Sequence, residues 1–164
     1  MSSDTRYRSR PITKADFDFI VRVVDHWWDG PIAILAHPVF FYELGGHARV
    51  VEDSHNDGEV VGFLLGFIAR GSERIGGDVP RTEDVGYVHL VGIHPQHRRQ
   101  GVGRALYGAF IETCRAAGCT QMKAVTLPGN VGSQRFHRAI GWDIVEDVDY
   151  AGQGRKRVVM TLGL

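Results

Sequence analysis

Apolar residues recur along this chain with two different periods, and the two periods predict both helices and strands. Helical spacing, every three or four residues, follows Thr13, which has Asp16 three positions on in a capping-box-like arrangement. We expect that helix to break at residues 25–31, which end in Gly-Pro. A second, short helix is expected over residues 38–44, before a Gly-Gly pair. The strands expected in this half cover residues 7–12, 48–52 and 60–69.

Strands and helices alternate more regularly after residue 84. Strands are predicted over residues 85–93 and 122–127, with a helix over residues 101–117 between them. Asn130 is expected to cap a further helix that Gly141 ends, before an antiparallel strand pair at 142–148 and 158–162. Because hairpins flank this alternation, the chain predicts an α/β fold with a mixed central sheet of about six to seven strands and flanking helices. We see no repeat or linker and expect a single domain over residues 1–164.

Composition and charge narrow the function classes. The chain has 164 residues and a formal net charge of zero, so no overall field attracts nucleic acid or an anionic membrane. No apolar run approaches the roughly 18 residues of a membrane span, and the first residues are polar, so we expect a cytoplasmic protein without membrane or nucleic-acid partners. Cys114 and Cys119 lack a metal-ligand spacing and the histidines are scattered, so we expect no metal.

Glycines and arginines concentrate between the strand that ends near residue 93 and the helix that follows it. Backbone N–H groups at a helix start lack intrahelical partners and lie at the positive end of the helix dipole, and glycines let a ligand approach them closely. The stretch therefore predicts a site for the pyrophosphate of a nucleotide-like cofactor. The loop is not a P-loop, because the chain lacks the required lysine followed by Ser or Thr. It is not a dinucleotide-binding motif either, because Leu106 stands where that motif has a third glycine or alanine.

The run Arg98-Arg99-Gln100-Gly101-Val102-Gly103 resembles the Arg/Gln-x-x-Gly-x-Gly/Ala motif of the GNAT acyltransferase superfamily. It follows a strand that ends in Val91-Gly92-Ile93-His94-Pro95, and the later stretch from Asn130 to Trp142 resembles the family's Asn-x-x-Ala-x-x-Phe-Tyr-x-x-x-Gly-Phe helix. The resemblance covers nearly the whole chain in element order, although the N-terminal third matches only in its pattern of elements. It implies a GNAT fold with a splayed, bulged fourth strand, and Gly92 suits a bulge or a close backbone approach.

The resemblance also implies that acetyl-CoA is the co-substrate, and it assigns residues to it. Amides of Arg99 to Arg104 would wrap the pyrophosphate. Backbone groups of Val91 to Ile93 would pair with the pantetheine arm and receive the thioester carbonyl, and Asn130 would touch the arm from the far side. The expected cofactor-binding residues are Val91, Gly92, Ile93, Arg98, Arg99, Gln100, Gly101, Val102, Gly103, Arg104, Asn130, Ser133 and Phe136.

Acyl transfer to an amine needs a base for the ammonium, N–H donors for the oxyanion and a proton for the leaving thiolate. No nucleophile elbow or activated cysteine is visible, so direct transfer is preferred. His137 stands where the family usually has a tyrosine that protonates the thiolate, and it either donates that proton or only packs inside its helix. His89 is the candidate base or a core histidine, and Tyr87 shares its strand face. A water chain ending at Asp84 or Glu83 would serve as well.

The leading hypothesis is an acetyl-CoA-dependent N-acetyltransferase acting on the amine of a small-molecule or peptide acceptor. The alternative is a non-catalytic acyl-CoA-binding sensor or interaction module of the same fold. Trp27, Trp28, Asp29 and the loop at 71–83 are expected near the acceptor, unless the tryptophans pack on the core and the loop is a surface excursion. An exposed strand of the splayed sheet would support a homodimer.

Overall fold

The computed structural model of the protein describes residues 5–28, 30–73 and 82–164. Within these residues seven strands and four α-helices follow one another, with short 3-10 turns between several of them. The strands are β1 (Tyr7–Pro11), β2 (Arg49–Asp53), β3 (Glu59–Ala69), β4 (Val85–Ile93), β5 (Gln121–Thr126), β6 (Asp143–Asp147) and β7 (Arg157–Gly163). The helices are α1 (Lys14–Trp28), α2 (Val39–Tyr42), α3 (Val102–Ala116) and α4 (Val131–Ala139).

The strands form a mixed sheet in the order β1-β2-β3-β4-β5-β7-β6. β4 and β5 run parallel, whereas β1–β2, β2–β3, β5–β7 and β6–β7 are antiparallel pairs. This arrangement confirms the predicted α/β fold with a mixed sheet and flanking helices. β1 lies at one edge of the sheet. The described pairing of β4 with β5 runs from Val85 opposite Gln121 to Val88 opposite Ala124, while β4 itself continues to Ile93.

The chain divides into two compact units. Unit 1 comprises the described residues of Met1–Phe67 and His89–Thr113, and unit 2 those of Ile68–Val88 and Cys114–Leu164. Unit 1 holds β1, β2, α1 and α2, and unit 2 holds β5, α4, β6 and β7.

The first helix begins as predicted and ends later than predicted. The Thr13 amide donates to Asp16 Oδ2 at 2.7 Å, and the Asp16 amide donates to Thr13 Oγ1 at 3.3 Å, which is a reciprocal capping box. The expected break at residues 25–31 was wrong in its start, because α1 continues to Trp28. Trp27 extends the buried stripe by one helical step, and Asp25 Oδ1 instead accepts from two amides beyond the helix end, at 2.7 and 2.6 Å.

The core of unit 1 forms where α1 packs on the strands. Trp27 is 4% exposed and stacks on Phe63 with ring centroids 5.9 Å apart. Trp27 is therefore a core residue, as the packing alternative had it, and not the wall of an open pocket. Val21 of the same helix lies outside this core and is 39% exposed. The buried members of this cluster are Ile20, Val24, Trp27, Ala36, Ala48, Val50, Phe63, Leu65 and Leu90.

Unit 2 buries both cysteines of the chain. A Cβ built on Gly86 of β4 would lie 2.2 Å from the Cys114 sulfur, so only glycine lets the end of α3 approach the strand this closely. Burial raises the pKa of Cys114 to about 12 and also raises that of Cys119. Gly118, with φ +81°, ends α3 in the left-handed conformation that favours glycine.

Among the described residues, the longest and most apolar helices still fall short of what a bilayer crossing requires.

Candidate functional site

The predicted phosphate loop lies in unit 1, where β4 passes through a 3-10 turn (Pro95–His97) into α3. Arg99 has φ +63° and Gly101 has φ +94°, so the chain turns through left-handed conformations at two positions before α3 begins. A Cβ on Gly62 of β3 would lie 2.5 Å from Val102 Cγ1, which shows that the helix start sits directly on the sheet. The close contact at Gly62 thus positions the N-terminus of α3, where the first backbone amides have no partner within the helix.

Arg98, the first residue of the loop motif, fastens α1 to β4. Its guanidinium donates to the Trp27 carbonyl, and its Nε donates to the Ile93 carbonyl at 3.4 Å. These bonds were not predicted, because the sequence motif indicated only a cofactor-binding role for Arg98. Arg99 and Arg104 are exposed.

Beyond its described pairing with β5, strand β4 accepts a hydrogen bond from a side chain at one of its backbone carbonyls. The Trp28 indole N–H donates to the Val91 carbonyl oxygen at 3.0 Å, across 63 positions of sequence. Trp28 is 38% exposed. Of the two neighbouring tryptophans, this one contacts the residues predicted to hold the thioester. Asp29, expected beside them, lies outside the described residues.

Gly92 marks a close approach of strand to core. A Cβ there would lie 2.3 Å from Cε1 and 2.6 Å from Cζ of Phe63, whose side chain is fully buried. The absence of a side chain at Gly92 therefore leaves room for the Phe63 ring against the strand. A register shift is described in β2, between Val51 and Glu52.

His89, the candidate base, is held in one tautomer. Its Nε2 lies 2.8 Å from the Leu35 carbonyl oxygen, and because a carbonyl only accepts, Nε2 carries the hydrogen and Nδ1 the lone pair. Phe40 stacks on the imidazole with centroids 3.8 Å apart and an interplanar angle of 10°. Burial lowers the pKa of His89, partly opposed by the bond to Leu35, so the ring is neutral near pH 7 and able to accept a proton.

Tyr87 lies in unit 2, opposite Lys123 on β5. Burial, together with the neighbouring Tyr150, raises the pKa of Tyr87 to about 12. A phenol in this state keeps its proton at neutral pH, which suits a hydrogen-bond donor and not a base. Lys123 is buried, with its ammonium 5.1 Å from the centre of the Tyr150 ring.

The predicted Asn130 helix forms in unit 2 as expected. Asn130 Oδ1 accepts the Ser133 amide at 3.2 Å, which is an N-cap, and its amide group donates to Thr126 Oγ1 at 3.0 Å. His137 is 4% exposed, and its Nδ1 lies 2.7 Å from the Ser133 carbonyl oxygen, so Nδ1 carries the hydrogen. Its ring packs edge-on against Trp142 at 4.8 Å. Burial lowers the pKa of His137.

The candidate residues thus fall into two groups. Unit 1 brings together His89, the Val91–Ile93 segment and the Arg98–Arg104 loop, and unit 2 brings together Asn130, Ser133, Phe136 and His137. The partners of His89, Leu35 and Phe40, were missed, because no local pattern marks residues that meet across about fifty positions. Of the loop at 71–83 that was expected near the acceptor, residues 74–81 lie outside the described part of the chain.

A separate open groove of about 610 Å³ lies beside α1 and α2 in unit 1. Phe17, Val21, Ile34 and Tyr42 supply apolar surface to it, and none of the predicted site residues lines it. Over residues 5–28, 30–73 and 82–164, no group of three His, Cys, Asp or Glu side chains has the arrangement of a metal site.

A model of the acetyltransferase (GNAT) family matches residues 20–142. Two curated proteins resemble parts of the chain. The aminoglycoside N(6')-acetyltransferase type 1 of Stenotrophomonas maltophilia is 33% identical over 98 residues, 57% of this chain and 59% of that protein. The L-methionine sulfoximine/L-methionine sulfone acetyltransferase of Salmonella typhimurium is 31% identical over 64 residues, 39% of this chain and 37% of that protein. The matched stretches span less than two thirds of either relative's length.

Solved structures share the fold over almost the full chain. Ard1 from Thermoplasma volcanium superimposes with a TM-score of 0.70 at 21% identity, covering 98% of this chain and 99% of that one. NAA60 of Arabidopsis thaliana in complex with acetyl-CoA gives 0.71 at 13% identity, with 96% and 99% covered. YncA of Salmonella typhimurium with its cofactor acetyl-CoA gives 0.64 at 21% identity, with 98% and 95% covered.

Proposed function

Because the chain belongs to the acetyltransferase (GNAT) family, we propose that it transfers an acetyl group directly from acetyl-CoA to the amine of a small-molecule or peptide acceptor. The observation that carries this proposal is the passage from β4 through a loop with two left-handed residues into α3. That passage offers a strand backbone followed by a helix N-terminus, in the order in which the pantetheine and the pyrophosphate of CoA would need them.

For the donor, we propose that amides of Arg99 to Arg104 bind the pyrophosphate, with Gly101 turning the backbone toward it. Backbone groups of Val91 to Ile93 would pair with the pantetheine amides as an added strand. The Trp28 indole, which bonds the Val91 carbonyl, would then yield this oxygen or share it with the arm. By resemblance to the family, Asn130 would contact the arm as well.

For the chemistry, we propose that His89 Nδ1 takes a proton from the acceptor ammonium. The free amine attacks the thioester carbonyl carbon and the C–N bond forms. As the oxyanion collapses, the C–S bond breaks to release CoA thiolate, and the nitrogen loses its second proton to water to give the amide. A backbone N–H of the Val91–Ile93 segment would stabilise the oxyanion between these steps. His137 would protonate the thiolate through Nε2, since its Nδ1–H is engaged with the Ser133 carbonyl. This role needs the imidazolium form, which burial disfavours.

For the acceptor, the curated relatives favour a small amine. They are named for an aminoglycoside and for two amino-acid analogues, which differ in size and charge but share a primary amine. Along β4 of unit 1, Phe40 stacks on His89 and Trp28 bonds the Val91 carbonyl. We propose that these aromatic groups and the one proton acceptor suit a compact amine better than a highly charged polymer.

The test measures binding and turnover separately. CoA binding is measured by calorimetry, and thiol release from acetyl-CoA is followed with three groups of amines: aminoglycosides, methionine sulfoximine with related amino acids, and short peptides. We expect CoA binding and turnover with a member of one group. Tight CoA binding without turnover on any amine would favour the non-catalytic sensor, and absence of CoA binding would refute both.

Two glycines provide a matched pair of variants for the donor loop. Gly101→Ala places a side chain on a backbone with φ +94°, and we expect CoA affinity to fall about tenfold, from strain of roughly 1–2 kcal/mol. Gly46→Ala, at a position with nothing within 4 Å of the added Cβ, should leave CoA affinity unchanged. Equal affinities of the two variants would contradict the assigned loop.

A further inference from the structure

A chain of hydrogen bonds runs from β1 into the phosphate loop of unit 1. The Tyr7 hydroxyl donates to Gln100 Oε1 at 2.8 Å, and Gln100 Nε2 donates to the Gln96 carbonyl at 2.8 Å. Tyr7 also lies 3.1 Å from His97 Nδ1. The Gln100 side chain therefore connects the end of the loop to its 3-10 turn, and we call this connection the Gln100 bridge. The Tyr7 hydroxyl, on β1, hydrogen-bonds to it.

An ion pair between the partly exposed Arg6 and the buried carboxylate of Asp53 lies next to this chain of hydrogen bonds and sets its direction. Arg6 binds the Asp53 carboxylate with two nitrogens, at 2.9 and 2.7 Å, and the Asp53 side chain is 1% exposed. The Arg6 guanidinium holds the pKa of Asp53 down at about 2, so this carboxyl is charged at neutral pH. Asp53 Oδ2 lies 3.7 Å from His97 Nδ1. The negative charge favours a hydrogen on that nitrogen, which then donates to the Tyr7 oxygen.

The loop has a conformational reason to need such support. Arg99, a residue with a side chain, is in the left-handed region at φ +63°, and Gly101 follows at φ +94°. Left-handed conformations are unfavourable for residues with a Cβ unless the surroundings hold them. Gln100 lies between these two positions. Hydrogen bonds at its side-chain oxygen, from Tyr7, and its side-chain nitrogen, to Gln96, hold it there.

We propose that Tyr7, His97 and Asp53 are positioning residues that hold the Arg99–Gly101 loop in the conformation in which it receives the pyrophosphate of acetyl-CoA. The proposal rests on the proposed function in one respect, that this loop binds the donor. These residues need not touch CoA. They act through the Gln100 bridge, so their effect is confined to the phosphate end of the donor.

Tyr7→Phe tests this directly, because it removes only the hydroxyl and leaves the ring under the Arg6 guanidinium, 5.0 Å away. We expect the Kd for CoA to rise about fivefold, the effect of losing one hydrogen bond between neutral groups. The Kd for pantetheine, which lacks the pyrophosphate, should stay unchanged. In turnover, KM for acetyl-CoA should rise while kcat and KM for the amine stay within about twofold.

Tyr42→Phe is the control, since Tyr42 is 61% exposed on α2 and outside this network. An unchanged Kd for CoA in Tyr7→Phe, or an equal rise for CoA and pantetheine, would overturn the inference. A wild-type protein that binds no CoA would instead refute the proposed function. His97→Phe, which deletes the nitrogen facing Tyr7, should shift the Kd for CoA in the same direction.

Discussion

At Gly92, strand β4 lies in close contact with the core of unit 1, and an alanine there should be destabilising. The added methyl would lie 2.3 Å from Phe63 Cε1, well inside any real carbon–carbon contact. Phe63 is fully buried and is stacked on Trp27, with ring centroids 5.9 Å apart, so its ring has little room to move. Either the ring tilts into Trp27 or the strand moves outward.

The size of the effect follows from packing. Overpacking a close-packed core by one methyl group costs about 1–3 kcal/mol. Alanine also lowers the backbone entropy of the unfolded chain, which stabilises the folded state by about 0.5–1 kcal/mol and offsets part of this cost. We therefore expect Gly92→Ala to lower the free energy of unfolding by about 1–2 kcal/mol, which for a chain of this size lowers Tm by about 2–8 °C.

Urea unfolding of four variants, which are Gly92→Ala, Phe63→Leu, their combination and a control, isolates the contact. Gly108→Ala is the control, because Gly108 lies inside α3, is exposed and has nothing within 4 Å of an added Cβ; it should gain up to about 1 kcal/mol. Gly92→Ala combined with Phe63→Leu should cost less than the sum of the two single changes, by at least about 0.5 kcal/mol. Additive effects, or a Gly92→Ala protein as stable as wild type, would refute the reasoning.

Three further results are expected. Burial lowers the pKa of His89, so in the wild type kcat/KM should begin to fall on the acidic side only when the pH drops through that lowered pKa. His89→Gln should lose this acidic fall in kcat/KM, and a fall that persists in the variant would exclude His89 as the base. Asn130→Ala removes the cap on the Ser133 amide and should destabilise the protein by about 1 kcal/mol in thermal unfolding, whereas Asn130→Ser should restore most of it. CoA should change the tryptophan fluorescence of the wild type by disturbing the indole of Trp28 at Val91, and Trp28→Phe should reduce that change; an equal change in both would contradict displacement of the indole.

Local chemistry explains which features were predictable. The Thr13–Asp16 capping box, the Asn130 cap and the ends of α3 depend on residues a few positions apart, and all are found in the structure. The end of α1 was predicted too early, because Gly30 and Pro31 indicate a break close by. The apolar spacing from Val24 to Trp27 nevertheless continues the helix to Trp28.

Contacts between distant positions could not be predicted in this way. Trp28 meets Val91 across 63 positions, His89 meets Leu35 across 54, and Tyr7 meets Gln100 across 93. No periodicity or cap encodes such pairs, because each depends on how the strands and the loop fold together. The glycines indicate the loop between β4 and α3, whereas the tautomer of His89 and the hydrogen bonds that support the loop require the folded chain.

The packing of Gly86 against Cys114 has a practical consequence at the bench. Every turnover would release one CoA thiol, and the usual colour reagents for that product react with thiolates of any origin. Cys114 and Cys119, which are all the cysteines of the chain, are buried, and the pKa of Cys114 is about 12. Both sulfurs should stay protonated and unreactive while the protein is folded. The folded protein would therefore contribute no colour to such an assay, and a slow signal without substrate would indicate unfolding.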